Sequence, residues 1–296
     1  MKRQLGILGL ALAATAAVYL PSLDGQFLFD DIRMLSDPLV FDPFGQAPSA
    51  WLASSRPLTA FTFALNHLAV GLDTRGWHLT NIAIHLGVVV LAWLFARLTL
   101  ARAGISRPQG PALAAAALFA LHPMQTESVA YISQRAESLA SGVYLAALLL
   151  LLARDEATTA PRRHALLAAA IVLHAVGLTA KPIMATLPAA WLLHSALLPV
   201  RSEEDAPAWR RAWRRVPAAA PLLALSAAAA IHVIGGTVGS TNTGFDIPGL
   251  PVDRDKCRSH PVEHDEHRPM ARQLVHLPRR HRHPRRRRVR DQCWRF

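Results

Sequence analysis

Long apolar runs separated by short charged clusters dominate the chain. They fall at residues 5–20, 78–96, 111–124, 137–153, 164–180, 182–200 and 216–234. Crossing a bilayer core takes roughly 20 mostly apolar residues as a helix. The runs therefore predict an all-α protein, a polytopic transmembrane helix bundle with about seven crossings. The run at 111–124 is the shortest and is rich in Ala. Lys2 and Arg3 ahead of the first run resemble the start of a signal peptide, but Pro21-Ser22-Leu23 offers no small-residue cleavage site. We read that run as an uncleaved first helix. Residues 22–77 are too polar to span and too aromatic for a plain linker, which predicts a long folded loop containing short helices.

Charge then sets an orientation, because Lys and Arg in short loops are retained on the cytoplasmic side. With Lys2 and Arg3 inside, Arg97, Arg102 and Arg107 also fall inside. So do residues 154–163 and the group Arg201, Arg210, Arg211, Arg214 and Arg215. The 22–77 loop, residues 122–136, Lys181 and residues 235–249 fall outside. Every strongly basic loop lands on one side.

Composition fits a membrane protein: 52% of the 296 residues are hydrophobic and 18% are charged. The net charge of +12 is uneven, since residues 253–296 alone hold 14 Lys/Arg against 6 Asp/Glu. Such a stretch reads either as a disordered basic tail for acidic lipid or nucleic acid, or as text that is not native. It lacks apolar periodicity, and the Ala, Leu and Arg bias of the body suggests GC-rich codons. Out-of-phase reading of such DNA yields Arg, Pro and His, so we read the sequence after about Val252 as out of frame. The chain then divides into a membrane domain at 1–252 and a tail at 253–296, with no nucleic-acid partner expected. Cys257 and Cys293 make neither a disulfide framework nor a four-ligand zinc site.

Four groups of residues carry candidate chemistry. Asp30 and Asp31 follow the first helix between aromatic and aliphatic neighbours. A positioned carboxylate there can take a proton from an acceptor hydroxyl, and the pair can also hold a divalent cation. Spacing alone favours a solvated acidic turn, helped by Asp37-Pro38 and Asp42-Pro43 downstream. His78, Asn81 and His85 share one helix face, which suits a wet cavity or interhelical hydrogen bonds. His122, Gln125 and Glu127 open a polar stretch that continues through Tyr131, Gln134, Arg135, Glu137 and Ser138. If that stretch is one helix, Glu127, Tyr131, Gln134 and Ser138 form a stripe. Lys181, with Arg33, Arg56, Arg75 and Arg135, supplies the few cations on the outer side, for an anionic headgroup or for snorkelling.

In order, Phe29-Asp30-Asp31, Arg56-Pro57-Leu58-Thr59, Asn66-His67, Trp77-His78-Leu79-Thr80-Asn81, His85-Leu86, His122-Pro123-Met124-Gln125-Thr126-Glu127, Tyr131-Ile132-Ser133-Gln134-Arg135-Ala136-Glu137 and Ala180-Lys181-Pro182 form a series. It resembles the membrane half of bacterial relatives of the transmembrane-and-TPR O-mannosyltransferases, of the C-type (GT-C) glycosyltransferase superfamily. The resemblance implies a sugar such as mannose moved from a polyprenyl-phosphate carrier to a protein hydroxyl on the outer face of a bacterial inner membrane. It implies Asp30 or Asp31 as general base and Arg135 and Lys181 as holders of the donor phosphate. Arg56, His78, Asn81, His85, His122, Gln125, Glu127, Gln134 and Glu137 are its substrate-pocket candidates. The series covers roughly residues 5–198, and no 34-residue TPR period follows it. A non-catalytic membrane scaffold, a lipid-binding subunit or an inactive fragment is the alternative.

Overall fold

The computed structural model describes residues 2–200 and 203–239; the basic tail and its proposed frame change lie outside the described residues. Among the described residues every regular element is helical. They are α1 (Lys2–Tyr19), α2 (Asp30–Leu35), α3 (Pro38–Phe41), α4 (Pro48–Ala53), α5 (Pro57–Val70), α6 (Thr74–Arg102) and α7 (Gln109–Leu121). Then come α8 (Gln125–Ala130), α9 (Arg135–Glu156), α10 (Ala160–Leu178), α11 (Leu187–Leu197), α12 (Ala208–Trp213) and α13 (Val216–Gly239). Short 3-10 turns at Leu20–Asp24, Ile132–Gln134 and Pro182–Thr186 complete the set.

Each of the seven apolar runs falls on helix, but their lengths differ. Three stretches, Gln4–Asp24, Thr74–Arg102 and Ile132–Glu156, are long and apolar enough to cross a membrane. Pro57–Val70, Gln109–Leu121, Pro182–Leu197 and Val216–His232 are shorter apolar helices. The 22–77 loop does contain short helices, and also the 14-residue α5.

Local chemistry sets the boundaries. Pro38, Pro48 and Pro57 stand at the first turns of α3, α4 and α5, where a missing N–H costs nothing. The Asp37 and Asp73 side chains cap α3 and α6 by accepting the N–H of Leu39 and Arg75. Gly71, at φ +59°, ends α5 in a conformation other residues resist. Its carbonyl receives the Trp77 indole N–H at 3.0 Å and so fixes the α5–α6 corner.

Packing explains how short α7 is held. Ala112, Ala116 and Ala120 recur every fourth residue and are buried against Leu8 of α1 and Val89 and Trp93 of α6. Small side chains let helix backbones approach closely, the usual means of association in lipid. A second core joins Ala147, Leu148, Leu151 and Leu152 of α9 to Ala170, Met184, Leu187, Trp191 and Leu222. Gly177 belongs to the same logic, because a Cβ there would overlap the buried Met184 thioether. Gly177→Ala should cost about 1–3 kcal/mol through overpacking. Thermal unfolding in detergent should show the Gly177→Ala, Met184→Ala double variant losing less than the sum of its singles.

Candidate functional site

One end of the bundle gathers the 20–73 segment, residues 122–134 and residues 179–186. Its centre is the guanidinium of Arg135, at the first position of α9 and fully buried. Nε donates to Asn81 Oδ1 at 2.6 Å, and Nη2 to Asn66 Oδ1 at 2.6 Å and to the Trp77 carbonyl at 3.2 Å. Nη1 donates to the Thr62 carbonyl at 3.1 Å. The charge also lies over the rings of Phe63 and Trp77, at 4.7 and 5.6 Å. Neutral oxygens and ring faces thus hold this cation, and α5, α6 and α9 meet on it. Arg135 is placed as a hub of the fold, not as a side chain presented to a ligand.

Asn81 passes the restraint on. Its Nδ2 faces the carbonyls of Val129, Tyr131 and Ile132 at 3.3–3.4 Å. Helix breaks there: Tyr131 is extended, at φ −89° and ψ 115°, between α8 and the 3-10 turn. The single helical stripe of Glu127, Tyr131, Gln134 and Ser138 therefore does not form, because Asn81 binds carbonyls that a continuous helix would use itself.

The freed turn receives the acidic pair, and here two adjacent aspartates separate. Asp31 is buried; its Oδ1 accepts the Ser133 N–H at 2.7 Å and its Oδ2 the Leu28 N–H at 3.1 Å. Asp30 is exposed, and its own N–H donates to the Tyr131 hydroxyl at 3.0 Å. Between the anchors Phe29 has φ 44°, ψ −109°, a conformation a side chain rarely adopts. Such strain persists only where the surroundings over-determine it, and it concentrates at functional sites. The result is one carboxylate locked by backbone and one presented to solvent in the first turn of α2. Asp31 has both oxygens engaged, so a cation at Asp30 would need its other ligands from substrate and water. Among the described residues no cluster of three or more His, Cys, Asp or Glu is placed for a metal ion.

Two cations, Arg56 and Lys181, stand on turns at the same end. The Leu58 N–H donates to the Thr179 carbonyl at 3.4 Å, which ties the Arg56 turn to the Lys181 turn. Lys181 pairs with Glu137. Burial, and then the Arg56 charge, hold the Lys181 ammonium below the usual lysine range. Beside them opens a cavity of about 430 Å³, lined mainly by apolar groups of Leu52, Pro57, Leu178, Pro182 and Ala229, with His232 at its edge.

The remaining candidates have plainer surroundings. His85 is buried with Nε2 3.2 Å from the Ala120 carbonyl, so it links α6 to α7. His78 is buried against Gly25, where a Cβ would come within 2.9 Å of its Nε2. His122 is exposed and accepts the Met124 N–H at 3.2 Å, as a cap ahead of α8. Glu127 is exposed, and Gln125 and Gln134 are half-buried.

Half of this chain has relatives among known proteins. It is similar to protein O-mannosyl-transferases. Tmtc1 of Drosophila melanogaster is 36% identical over 152 residues, 46% of this chain and 17% of that protein. F38B6.6 of Caenorhabditis elegans is 37% identical over 164 residues, 50% of this chain and 23% of that protein. TMTC3 of Mus musculus is 34% identical over 154 residues, 47% of this chain and 16% of that protein. The matched part thus spans less than a quarter of the length of each of these curated relatives. No family model matches the chain, and no solved structure does. The apolar helices and these relatives point to a membrane protein.

Sequence reasoning named Asn66, Trp77 and Ser133 in the motif series but assigned none of them its part in the site. It also missed a buried network at the opposite end. There Asp155 Oδ2 accepts from Trp191 Nε1 at 3.0 Å, Ser195 Oγ at 3.1 Å and Arg215 Nε at 2.9 Å. Arg215 Nη2 reaches Glu203 at 2.9 Å. Burial alone would raise the Glu203 carboxyl, but the hydrogen bonds and charges of Arg215 and Arg214 outweigh it and hold the group below the ordinary range. The only available signal was an acid, Asp155, embedded among loop arginines.

Proposed function

We propose that this chain is the membrane part of a GT-C-like glycosyltransferase that moves a sugar from a polyprenyl-phosphate carrier to a protein hydroxyl. Mannose is the sugar suggested by the names of the relatives. The observation that carries the reading is the split acidic pair: Asp31 is held by two backbone N–H groups and presents Asp30, on a strained turn, to solvent. Asp30 takes the proton of the acceptor hydroxyl. The acceptor oxygen bonds to the anomeric carbon as the bond from that carbon to the phosphate oxygen breaks, and its electron pair leaves on the polyprenyl phosphate. Arg56 and Lys181 offset the charge that gathers there, the kind of electrostatic contribution that dominates such steps. The adjacent apolar cavity suits the first units of the lipid.

Seven crossings, a cytoplasmic N-terminus and an outer active face belong to the same proposal. Its support is that Arg102, Arg107, Arg154, Arg162, Arg163 and Arg210 gather at the end opposite Asp30, as retention of positive loops requires. A bacterial inner membrane is the proposed location.

The test uses membranes containing the chain, labelled polyprenyl-phosphate mannose and Ser/Thr peptides. Transfer is expected, and Arg56→Gln with Lys181→Gln should lower kcat/KM for the donor about tenfold, the loss of about 1.4 kcal/mol of transition-state stabilisation. Transfer from no lipid-linked sugar, by correctly inserted protein, would sink the reading and favour a scaffold.

A further inference from the structure

The helix α12 is built inside out for a protein in water. Its inward face carries charge: Arg211 Nη2 donates to the Ala196 carbonyl at 2.6 Å, and Arg215, just past its end, is fixed by Asp155 and Glu203. Its outward face carries Trp209 and Trp213, one helical turn apart and 64% and 65% exposed. Arg210 and Arg214 are exposed beside them, Arg214 also reaching Glu203 at 3.3 Å. Two tryptophans turned to water while two arginines are buried is a poor arrangement unless something covers the outward face.

The position of α12 says what does. The apolar helix α13 starts at Val216, three residues after α12 ends, and, taken as one of the proposed crossings, it sets α12 at a membrane boundary. Tryptophan rings favour this level, where the ring meets acyl chain and the N–H meets headgroup. The surrounding surface is positive: Arg107, Arg162 and Arg163 are exposed at the same end. Glu204 belongs to a separate cavity with Arg102 and Glu156, and Asp205 is the remaining exposed acid of the segment.

We propose that α12 is an interfacial foot that docks on an anionic phospholipid surface, with Trp209 and Trp213 at the headgroup level and Arg210 and Arg214 on lipid phosphates. The buried Asp155 network then carries that footing to α9, α11 and α13. This assignment rests on the proposed crossing at α13 and is independent of whether the chain transfers a sugar.

The experiment reconstitutes the whole chain in phosphatidylcholine vesicles with or without phosphatidylglycerol, each lipid in turn brominated. Emission from Trp209 and Trp213 is isolated by difference from the Trp209→Phe, Trp213→Phe variant. Quenching by both brominated lipids is expected, stronger for phosphatidylglycerol. Replacing Arg210 or Arg214 by Gln should reduce the phosphatidylglycerol preference about fivefold each. Emission quenched by aqueous iodide and untouched by brominated lipid would overturn the proposal in favour of a wet face. Protection from both quenchers would overturn it in favour of a protein partner. Lipid quenching without any phosphatidylglycerol preference would overturn the anionic assignment.

Discussion

Asp30→Asn should lower kcat for sugar transfer by about 10²–10⁴-fold, the usual contribution of a positioned general base, with no change in thermal stability. Its carboxylate is exposed, and only its backbone N–H is used, by Tyr131. Asp31→Asn should behave differently although it stands next in sequence. Both Asp31 oxygens accept backbone N–H groups, from Leu28 and Ser133. An amide satisfies one of them and sets its own NH₂ against the other. That orphaned donor costs about 1–3 kcal/mol. The strained Phe29 turn, held between those anchors, should then relax and carry Asp30 out of place. The expected pattern is lost activity with intact unfolding temperature for Asp30→Asn, and loss of both for Asp31→Asn. Activity and unfolding measured on the same membrane preparations separate the two. An active Asp30→Asn protein, or an Asp31→Asn protein that is inactive and fully stable, would move the base to Asp31.

That contrast marks where sequence stops being informative. The apolar runs were legible because lipid imposes a length and a composition on each crossing, and both are local properties. The common face of His78, Asn81 and His85 was legible from helical spacing, and all three are buried. The roles of Asp30 and Asp31 were not, because spacing treats them alike while Ser133, which decides between them, is 102 positions away. The break at Tyr131 was hidden for the same reason: the residue that takes its carbonyl is Asn81, 50 positions earlier. Lys181 fares better, since its turn is short and its partner Glu137 had already been read as polar surface of the same end. At the far end, counting arginines predicted one shared side for them but not their burial. Arg215 and Asp155 are 60 positions apart and meet only when α13 packs beside α10 and α11.

Arg135→Lys tests the residue whose reading changed most. As a phosphate holder Arg135 would tolerate Lys moderately well, since Lys also binds phosphate as a point charge. As the structure places it, the planar fork serves four acceptors at once: two side-chain amides and two backbone carbonyls. A single ammonium cannot span them, nor lie flat between Phe63 and Trp77. Orphaning the buried oxygens of Asn66 and Asn81 costs about 1–3 kcal/mol each. Arg135→Lys should therefore lower the unfolding temperature sharply, with a loss of about 2–6 kcal/mol if both amides are abandoned. Exchange protection should fall first at Val129–Ile132, where Asn81 would no longer be oriented to hold the turn. Whatever folded protein remains should keep its donor KM. The opposite result, an unchanged unfolding temperature with a raised donor KM, would return Arg135 to the substrate and require its buried cage to open before the lipid phosphate enters.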